Sequence, residues 1–319
     1  MADQVESVGI WQRFEFTLRR SWTGGDPYRD SALDVTYLRP DGTTQAFWGF
    51  YDGKDRWRAR FMPDQVGRWE YRARFSDGGA TIRGRFHCVP SEAPGILSRV
   101  EENPVWFGFR GGDPLLIRSL HVGDRFFASN FPDDRRQAFL DWVEDQGYNT
   151  LSIASHFLKR NAPGRGEGWD IPSLWPLDAG AFRRLELHLD ELARRGLIVF
   201  PFAGFLGRNA KRPETAAERK AFIRYMLARL GPYWNLLFNV AGPEPVLPHR
   251  PTMSRTEVCA AGRMIAAMDP FDHLLTVHNP TGDDPFKDEP WLTFGTLQGP
   301  KTRDPAVLSR GLLRNHHAA

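Results

Sequence analysis

The sequence predicts two domains, an antiparallel β-sandwich over residues 1–92 and a TIM-type (β/α) barrel over residues 93–319. Three observations lead to this prediction. Residues 10–90 alternate between apolar and polar side chains with the period of two that strands show. Near residue 92 the segment SEAPG (91–95) is typical of a linker. Beyond it, apolar strand-like segments alternate with amphipathic helical segments, as in an α/β protein.

The predicted strands of the first domain are short and are separated by turn signals. Alternation is clearest over residues 13–18 (RFEFTL), 33–38 (LDVTYL) and 69–75 (WEYRARF). Asp-Gly pairs, which favour tight turns, occur at residues 41–42 and 52–53. Short strands with a turn about every ten residues indicate a sandwich.

Strands and helices alternate along the second domain. The predicted strands are residues 115–122, 149–156, 198–205, 235–242, 273–280 and 292–299. The predicted helices are residues 133–146, 179–195, 216–230, 255–268 and one near 305–315. Residues 132–134 and Ser254 favour helix starts, and Gly147, Gly196 and Gly231 favour helix ends.

This alternation leaves two architectures open, a barrel and a doubly wound sheet. Strands that are almost wholly apolar, such as residues 197–202 (LIVFPF), are covered on both faces, which favours a parallel arrangement. No glycine-rich phosphate-binding loop follows the first strand, so the barrel is favoured. A closed barrel of this kind has eight strand–helix units. Because six are predicted here, we expect an incomplete barrel that lacks strands seven and eight.

Composition excludes several classes of protein. The formal net charge is +3, and 42 basic residues are interspersed with 39 acidic ones, so nucleic-acid binding is not predicted. No stretch of 18 apolar residues predicts a membrane span, and the amino terminus lacks the features of a signal peptide. We therefore expect a cytoplasmic protein without membrane contact. The two cysteines, Cys88 and Cys259, are predicted to be buried thiols rather than a disulfide.

Four segments of the first domain resemble the family DUF5060. They are residues 49–53 (GFYDG), 57–63 (WRARFMP), 67–71 (GRWEY) and 84–86 (GRF). That family is an immunoglobulin-like sandwich found ahead of glycoside hydrolase barrels. The resemblance therefore implies an immunoglobulin-like fold here and a glycoside hydrolase domain after it.

The second domain resembles the DUF4038 or apiosidase-like barrels of the large clan of retaining glycosidases. The resemblance rests on residues 147–149 (GYN), 195–196 (RG) and 242–245 (GPEP). It implies that Glu244, at the end of the fourth strand, is the catalytic acid/base. In that clan a carboxylate at the end of the seventh strand is the nucleophile, and this chain has no counterpart. The clan also has Asn directly before the acid/base, where this chain has Pro243.

The local sequence around Glu244 suits a general acid as well. Glu244 lies between two prolines at the end of an apolar strand. A general acid must be protonated at working pH, and an apolar setting raises the pKa of a Glu toward that range. The alternative is a carboxylate that caps a turn.

Several polar side chains occur where predicted strands end, and the active sites of such barrels form at that face. We expect imidazoles and amides there to bind sugar hydroxyls. The alternative for each is a hydrogen bond to nearby backbone. The candidates at strand ends are His121, His156, His278, Asn279 and Gln298, and Asn239, which lies earlier on the fourth strand, is a further candidate.

The long glycine-rich loop after the second strand holds Trp169, and Trp175 follows it. These two side chains are candidates for a wall that stacks on sugar rings; the alternative is packing at the rim of the barrel. No metal site is predicted, because residues 120–124 (LHVGD) hold one histidine where hydrolytic metal barrels usually have two. No cofactor is predicted either. Four acidic residues between the fifth and sixth strands are predicted to form a solvated loop, with the alternative that one of them points inward: Asp283, Asp284, Asp288 and Glu289.

Two functions are compatible with these patterns. The first is a retaining glycoside hydrolase, or a fragment of one, acting on plant or microbial oligosaccharides or polysaccharides, whose nucleophile would have to come from sequence missing here. The second is a non-catalytic carbohydrate-binding protein or a truncated gene product. An open barrel has unpaired strand edges, so we also expect self-association through the first and sixth strands.

Overall fold

The structure, a computed structural model, describes most of the chain. The described residues are 6–22, 24–110, 112–122, 126, 131–153, 174–207, 212–249, 251–280, 284–298 and 306. They form eighteen strands and four helices, and all four helices follow residue 132. A β-rich first part followed by alternating strands and helices is therefore confirmed. Within the described residues no helix is long and apolar enough to cross a membrane.

Residues 6–89, here called the N-terminal β region, form two sheets. The strands are β1 (Glu6–Gly9), β2 (Phe14–Arg19), β3 (Leu33–Leu38), β4 (Thr44–Trp48), β5 (Phe50–Tyr51), β6 (Arg56–Phe61), β7 (Gly67–Phe75) and β8 (Ile82–Val89). One sheet has the order β1-β8-β7-β3-β4 and the other β2-β6-β5. The pairs are antiparallel, as predicted, except that β1 runs parallel to β8.

Aromatic side chains fill the space between the two sheets. Phe14 of one sheet stacks on Phe86 of the other with ring centroids 3.9 Å apart. Trp57 and Trp69 are 1% and 0% exposed. Large flat rings bury much apolar area in a small region, which accounts for much of the aromatic content of this part of the sequence.

The following residues, here called the C-terminal α/β region, begin with a small antiparallel sheet of β9 (Leu97–Arg99), β10 (Phe107–Phe109) and β11 (Pro114–Leu115). The remaining strands are β12 (Ser119–Val122), β13 (Thr150–Ile153), β14 (Ile198–Pro201), β15 (Phe238–Asn239), β16 (Leu275–Thr276), β17 (His278–Pro280) and β18 (Thr296–Gln298). The helices are α1 (Asp133–Asp145), α2 (Ala179–Arg194), α3 (Ala216–Leu230) and α4 (Arg255–Met268).

The strands β12 to β18 pair in parallel with strands that are near them in chain order. β12, β13 and β14 form one sheet, β15 pairs with β16, and β17 pairs with β18. A bridge from Val199 to Leu236 joins β14 to the segment before β15. The described sheets are not closed, so the structure shows a series of parallel strands with helices between them, and the predicted barrel is not confirmed.

The observed strands are shorter than those predicted. The predicted strand 115–122 is split, because the Asn149 side chain binds the backbone between its halves. Its Oδ1 accepts from the Arg118 N–H at 2.9 Å, and its Nδ2 donates to the Leu116 carbonyl at 2.8 Å. The predicted strand 273–280 is likewise divided into β16 and β17 at Val277.

Helix boundaries agree closely with the predictions. Thr215 and Ser254 form capping boxes at the starts of α3 and α4. Gly147 and Gly196 end helices with φ of +69° and +71°, as predicted for residues that adopt the left-handed conformation. Gly231 also ends a helix, but it keeps a helical φ of −55°. The helix predicted near 305–315 lies outside the described residues except for Ala306.

A buried network of charges joins the two regions. Glu186 of α2 accepts hydrogen bonds from Arg60 of β6 at 2.8 and 3.1 Å and from Arg229 of α3 at 2.5 and 2.8 Å. Arg229 also donates to Asp52 of the N-terminal β region at 3.0 Å. These four side chains, here called the junction ion network, are each at most 5% exposed. Both cysteines are buried free thiols, as predicted.

Candidate functional site

Glu244 follows β15 in an unusual backbone conformation. Its φ is +53°, a left-handed value that few residues other than glycine adopt. Its backbone N–H donates to the His278 carbonyl at 2.7 Å, which fixes the segment against β17. The side chain is half-buried. Strained backbone persists only where the surroundings enforce it, and it clusters at functional sites.

Gly242 allows this segment to approach two neighbouring strands. A Cβ atom added to Gly242 would lie 2.8 Å from the Phe202 carbonyl oxygen and 3.0 Å from the Cβ of His278. The first contact involves backbone, which cannot move aside. Glycine is therefore required where Glu244, the end of β14 and β17 come together.

Alternation along the strands defines two faces of the parallel sheets. Leu151, Ile153 and Val277 belong to the apolar core that includes the helices. Residues between or beside them, such as Ser152 and His278, therefore point to the opposite side, here called the inner face. Because Asn279 is adjacent to His278, the two side chains point to opposite faces.

Two predicted histidines meet on the inner face. The Phe202 ring lies between them, with its centroid 4.7 Å from that of His121 and 4.2 Å from that of His278. His121 Nδ1 is 3.0 Å from Ser152 Oγ, and these two residues are register partners on β12 and β13. His278 also supplies the carbonyl that binds Glu244. The structure thus brings His121, His278 and the backbone of Glu244 together with Ser152 and Phe202, and a role for these residues in a site stays a prediction.

His278 is held in its neutral form. Burial, followed by the neighbouring His121, lowers the pKa of His278 from 6.5 to about 4. The side chain is 2% exposed. A neutral imidazole has one donor and one acceptor nitrogen, and the Nδ1 atom has no hydrogen-bond partner among the described residues. This buried nitrogen is therefore available to a hydroxyl of water or substrate, as acceptor or donor according to the tautomer.

We expect an NMR titration to give a midpoint near pH 4 for His278. The unfolded chain takes up this proton near pH 6.5 and the folded chain does not, so His278 makes folding less stable as pH falls through this interval. His278→Asn identifies the resonance and should reduce the loss of stability between pH 6.5 and 4. A His278 midpoint at or above 6.5 would contradict the burial argument.

Asn239 lies on β15 with its donors already occupied. Its Nδ2 donates to the carbonyls of Pro201 and Phe202 at 3.0 and 2.9 Å, and the residue is 0% exposed. These bonds link the ends of β14 and β15. This geometry matches the alternative in which the side chain forms hydrogen bonds with nearby backbone. Contact of Asn239 with substrate stays a prediction.

Asn279 points away from His278 and binds a buried carboxylate. Its Nδ2 donates to Asp284 Oδ1 at 2.9 Å, and the same oxygen accepts from the Phe286 N–H at 2.9 Å. Asp284 is 4% exposed, so the predicted solvated loop is wrong at this residue. It is wrong at Glu289 as well, which is 11% exposed and pairs with Arg255 at 3.1 Å. Asp288 is exposed as predicted, and Asp283 lies outside the described residues.

The structure describes only some of the remaining candidate residues. Trp175 is half-buried, with the guanidinium of Arg29 5.2 Å from its ring centroid and the Phe222 ring 6.1 Å away. Gln298 pairs with Pro280 through the backbone of β18, and its side chain lies outside the description. His156 and Trp169 lie outside the described residues. Among the residues that are described, no three His, Cys, Asp or Glu side chains converge as metal ligands.

Sequence reasoning missed Ser152, Phe202 and Gly242. The sequence holds a weak signal for Ser152 and Phe202. The same alternation of side chains that puts His121 on the inner face also puts these two residues there. Gly242 carries no such signal, because its requirement comes from the approach of the Phe202 carbonyl in a neighbouring strand.

Comparison with known proteins indicates the class of fold. Residues 7–76 match the family described as a domain of unknown function, DUF5060. A putative glycoside hydrolase from Bacteroides vulgatus ATCC 8482 has a similar structure, with a TM-score of 0.74 and 22% identity over 92% of this chain. The chain spans 60% of the length of that protein.

The chain therefore has a glycoside-hydrolase-like fold, with a DUF5060 match in its N-terminal β region. A family 5 glycoside hydrolase from the same organism is less similar, with a TM-score of 0.46 and 18% identity over 64% of this chain and 45% of its own. No curated protein matches the sequence.

Proposed function

We propose that this chain acts on carbohydrate as a glycoside-hydrolase-like protein in which Glu244 is the general acid/base. The observation that carries the proposal is the position of Glu244. It follows β15 on a left-handed backbone and is bonded to His278 of the inner-face pair. In parallel α/β folds, active sites form at the carboxyl ends of the strands.

The proposal includes a finer description of the fold. It takes residues 1–92 as an immunoglobulin-like sandwich and residues 93–319 as part of a TIM-type barrel of the DUF4038 or apiosidase-like kind. The two-sheet N-terminal β region supports the first assignment. The chain-order series of parallel strands supports the second.

The proposed mechanism is double displacement. Glu244 donates its proton to the leaving glycosidic oxygen while a second carboxylate attacks the anomeric carbon and forms a glycosyl ester. Glu244, now ionised, takes a proton from water, which attacks the same carbon and releases the carboxylate. The nucleophile role is assigned to no described residue.

The inner-face residues suit sugar hydroxyls. Neutral His278, His121 and the Ser152 hydroxyl all supply donors and acceptors. The Phe202 ring between the histidines is an apolar surface of the kind that packs on the C–H face of a sugar. We propose plant or microbial oligosaccharides as substrates. Contacts from His156, Asn239, Asn279, Gln298, Trp169 and Trp175 stay predictions.

A second candidate is carbohydrate binding without turnover. Asp284, the buried carboxylate near the end of β17, is bonded to Asn279 on the side that faces away from His278. Its placement supports a site that has an acid/base without a partner carboxylate.

Hydrolysis assays distinguish the two candidates. The purified chain would be incubated with aryl glycosides and with neutral and acidic oligosaccharides, with NMR detection of the anomer first released. Cleavage with retention of configuration supports the proposed mechanism, and inversion contradicts it. Binding of an oligosaccharide at the Glu244 end without cleavage favours the second candidate. Neither cleavage nor binding would contradict both.

A further inference from the structure

A cleft lies where the N-terminal β region meets the amino-terminal side of the parallel strands. Its volume is about 560 Å³, within the range of small-molecule sites. The residues that line it include Trp11, Arg13, Glu92, Asp190, Arg194, Tyr233 and Trp234. We infer that this cleft, here called the junction cleft, binds a neutral oligosaccharide at a site separate from Glu244.

The junction cleft and Glu244 lie at opposite ends of the same strand. Tyr233 and Trp234 precede β15, whereas Glu244 follows it. Gly196, which also lines the cleft, precedes β14. Because β14 and β15 run parallel, the cleft lies at their amino ends and Glu244 at their carboxyl ends. A ligand in the cleft therefore does not contact Glu244.

The indole of Trp11 forms an organised part of the cleft wall, beside the largely buried rings of Tyr233 and Trp234. Trp11 has a left-handed φ of +62°, and its N–H donates to the Pro63 carbonyl at 2.9 Å. Its indole Nε1 lies 3.4 Å from where a Cβ of Gly95 would be, so the linker packs closely on the ring. The residue is nevertheless only partly buried. A ring already fixed in place loses little conformational entropy when the apolar face of a sugar packs on it.

The charges of the cleft balance. The guanidinium of Arg13 pairs with Asp190 at 2.9 Å and lies 4.5 Å from the Tyr233 ring centroid. Arg194 and Glu92 are exposed, and neither forms an ion pair with another described residue. Two cations and two carboxylates offer both donors and acceptors to hydroxyl groups. They offer no net attraction to a charged sugar, which is why the inferred ligand is neutral.

The inference rests on the proposed function for the choice of carbohydrate as the ligand class. The chemistry of the cleft supplies the rest: an aromatic wall, balanced charges and a partly open volume. Sugar rings present apolar C–H faces and hydroxyl edges, and the cleft has a counterpart for each.

Isothermal titration calorimetry with four hexasaccharides tests the inference. Cellohexaose, xylohexaose and mannohexaose are the neutral probes, and hexagalacturonic acid is the acidic one. We expect at least one neutral probe to bind and the acidic probe to bind at least tenfold more weakly. Trp11→Ala should weaken neutral binding at least tenfold, and Arg194→Ala about threefold. Trp142→Ala, which removes a different partly exposed indole, should leave it unchanged.

The variants keep failure of this inference distinct from failure of the proposed function. Glu244→Gln should leave binding in the junction cleft unchanged, since the two sites lie at opposite ends of β15. Arg194 is exposed, so its variant tests the cleft even if Trp11→Ala does not fold. Absence of neutral binding, equal binding of the acidic probe, or an affinity that is unchanged in both cleft variants would overturn the inference. Cleft binding without hydrolysis would count against the proposed catalysis alone.

Discussion

Replacing Glu186 by alanine is expected to lower the free energy of unfolding by about 3–5 kcal/mol. Glu186 is 5% exposed and is the carboxylate shared by Arg60 and Arg229, which are 3% and 0% exposed. Without it, two guanidinium groups remain in the interior, where Arg60 keeps Glu15 at 2.6 Å and Arg229 keeps Asp52 at 3.0 Å. The cost comes mainly from leaving these buried cations with one carboxylate each rather than from the lost attraction itself.

Urea unfolding of the variant and of a matched surface variant measures this effect. Glu70 pairs with Arg68 at 2.7 Å, but their side chains are 46% and 55% exposed. Glu70→Ala should therefore lower the unfolding free energy by less than about 1 kcal/mol. Equal losses for the two variants would show that burial of the junction ion network has no special effect.

The same network predicts a pH dependence. Burial raises the pKa of Glu186, but the charges of Arg60 and Arg229 outweigh it and lower that pKa from 4.5 to about 2. A carboxylate with a lowered pKa stabilises the fold above its unfolded pKa and loses that contribution as pH falls. The wild-type protein should lose this part of its stability between about pH 5 and 2. Glu186→Gln should have a shallower slope in that interval.

The helices could be predicted from the sequence because their signals are local. A Glu follows three residues after Thr215 and three residues after Ser254. This spacing alone is the sequence signature of a capping box. The observed bounds of α3 and α4 match the predicted ones. Strand lengths could not be predicted in the same way, since a strand ends where its neighbour stops pairing. The break at residues 116–118 depends on the side chain of Asn149, some thirty residues away.

The part of the candidate site that depends on where the strands end could be predicted from the sequence. Alternation alone requires that His278 and Asn279 face opposite ways, so only one of them can share the inner face with His121. Which one does so depends on the register of β17, which the structure supplies. Burial of Asp284 was not predictable, because an acidic loop in sequence looks solvated until Asn279 and the Phe286 N–H are placed beside it. The junction ion network is also non-local, since Arg60 and Glu186 are 126 residues apart.

Replacing Glu244 by glutamine is expected to lower any hydrolysis about 10²–10⁴-fold while sugar affinity at this site changes little. Glutamine keeps the shape of the side chain but cannot donate a carboxylic proton or take one from water. The backbone that holds the residue, with its N–H on the His278 carbonyl, does not depend on the side chain. Glu214→Gln is the matched control, because Glu214 is an exposed carboxylate that follows the preceding strand of the series. Full turnover in Glu244→Gln would show that the acid/base assignment is wrong.

An added nucleophile separates acid/base catalysis from a binding role. If Glu244 activates water in the second step, a glycosyl ester should accumulate in Glu244→Gln with an aryl glycoside whose leaving group needs no protonation. Azide attacks without giving up a proton, so it needs no general base. It should restore turnover and yield a glycosyl azide of retained configuration. If Glu244 only binds substrate, both steps slow together and azide restores nothing. This comparison also tests the unassigned nucleophile, since a glycosyl ester forms only if the protein supplies a second carboxylate.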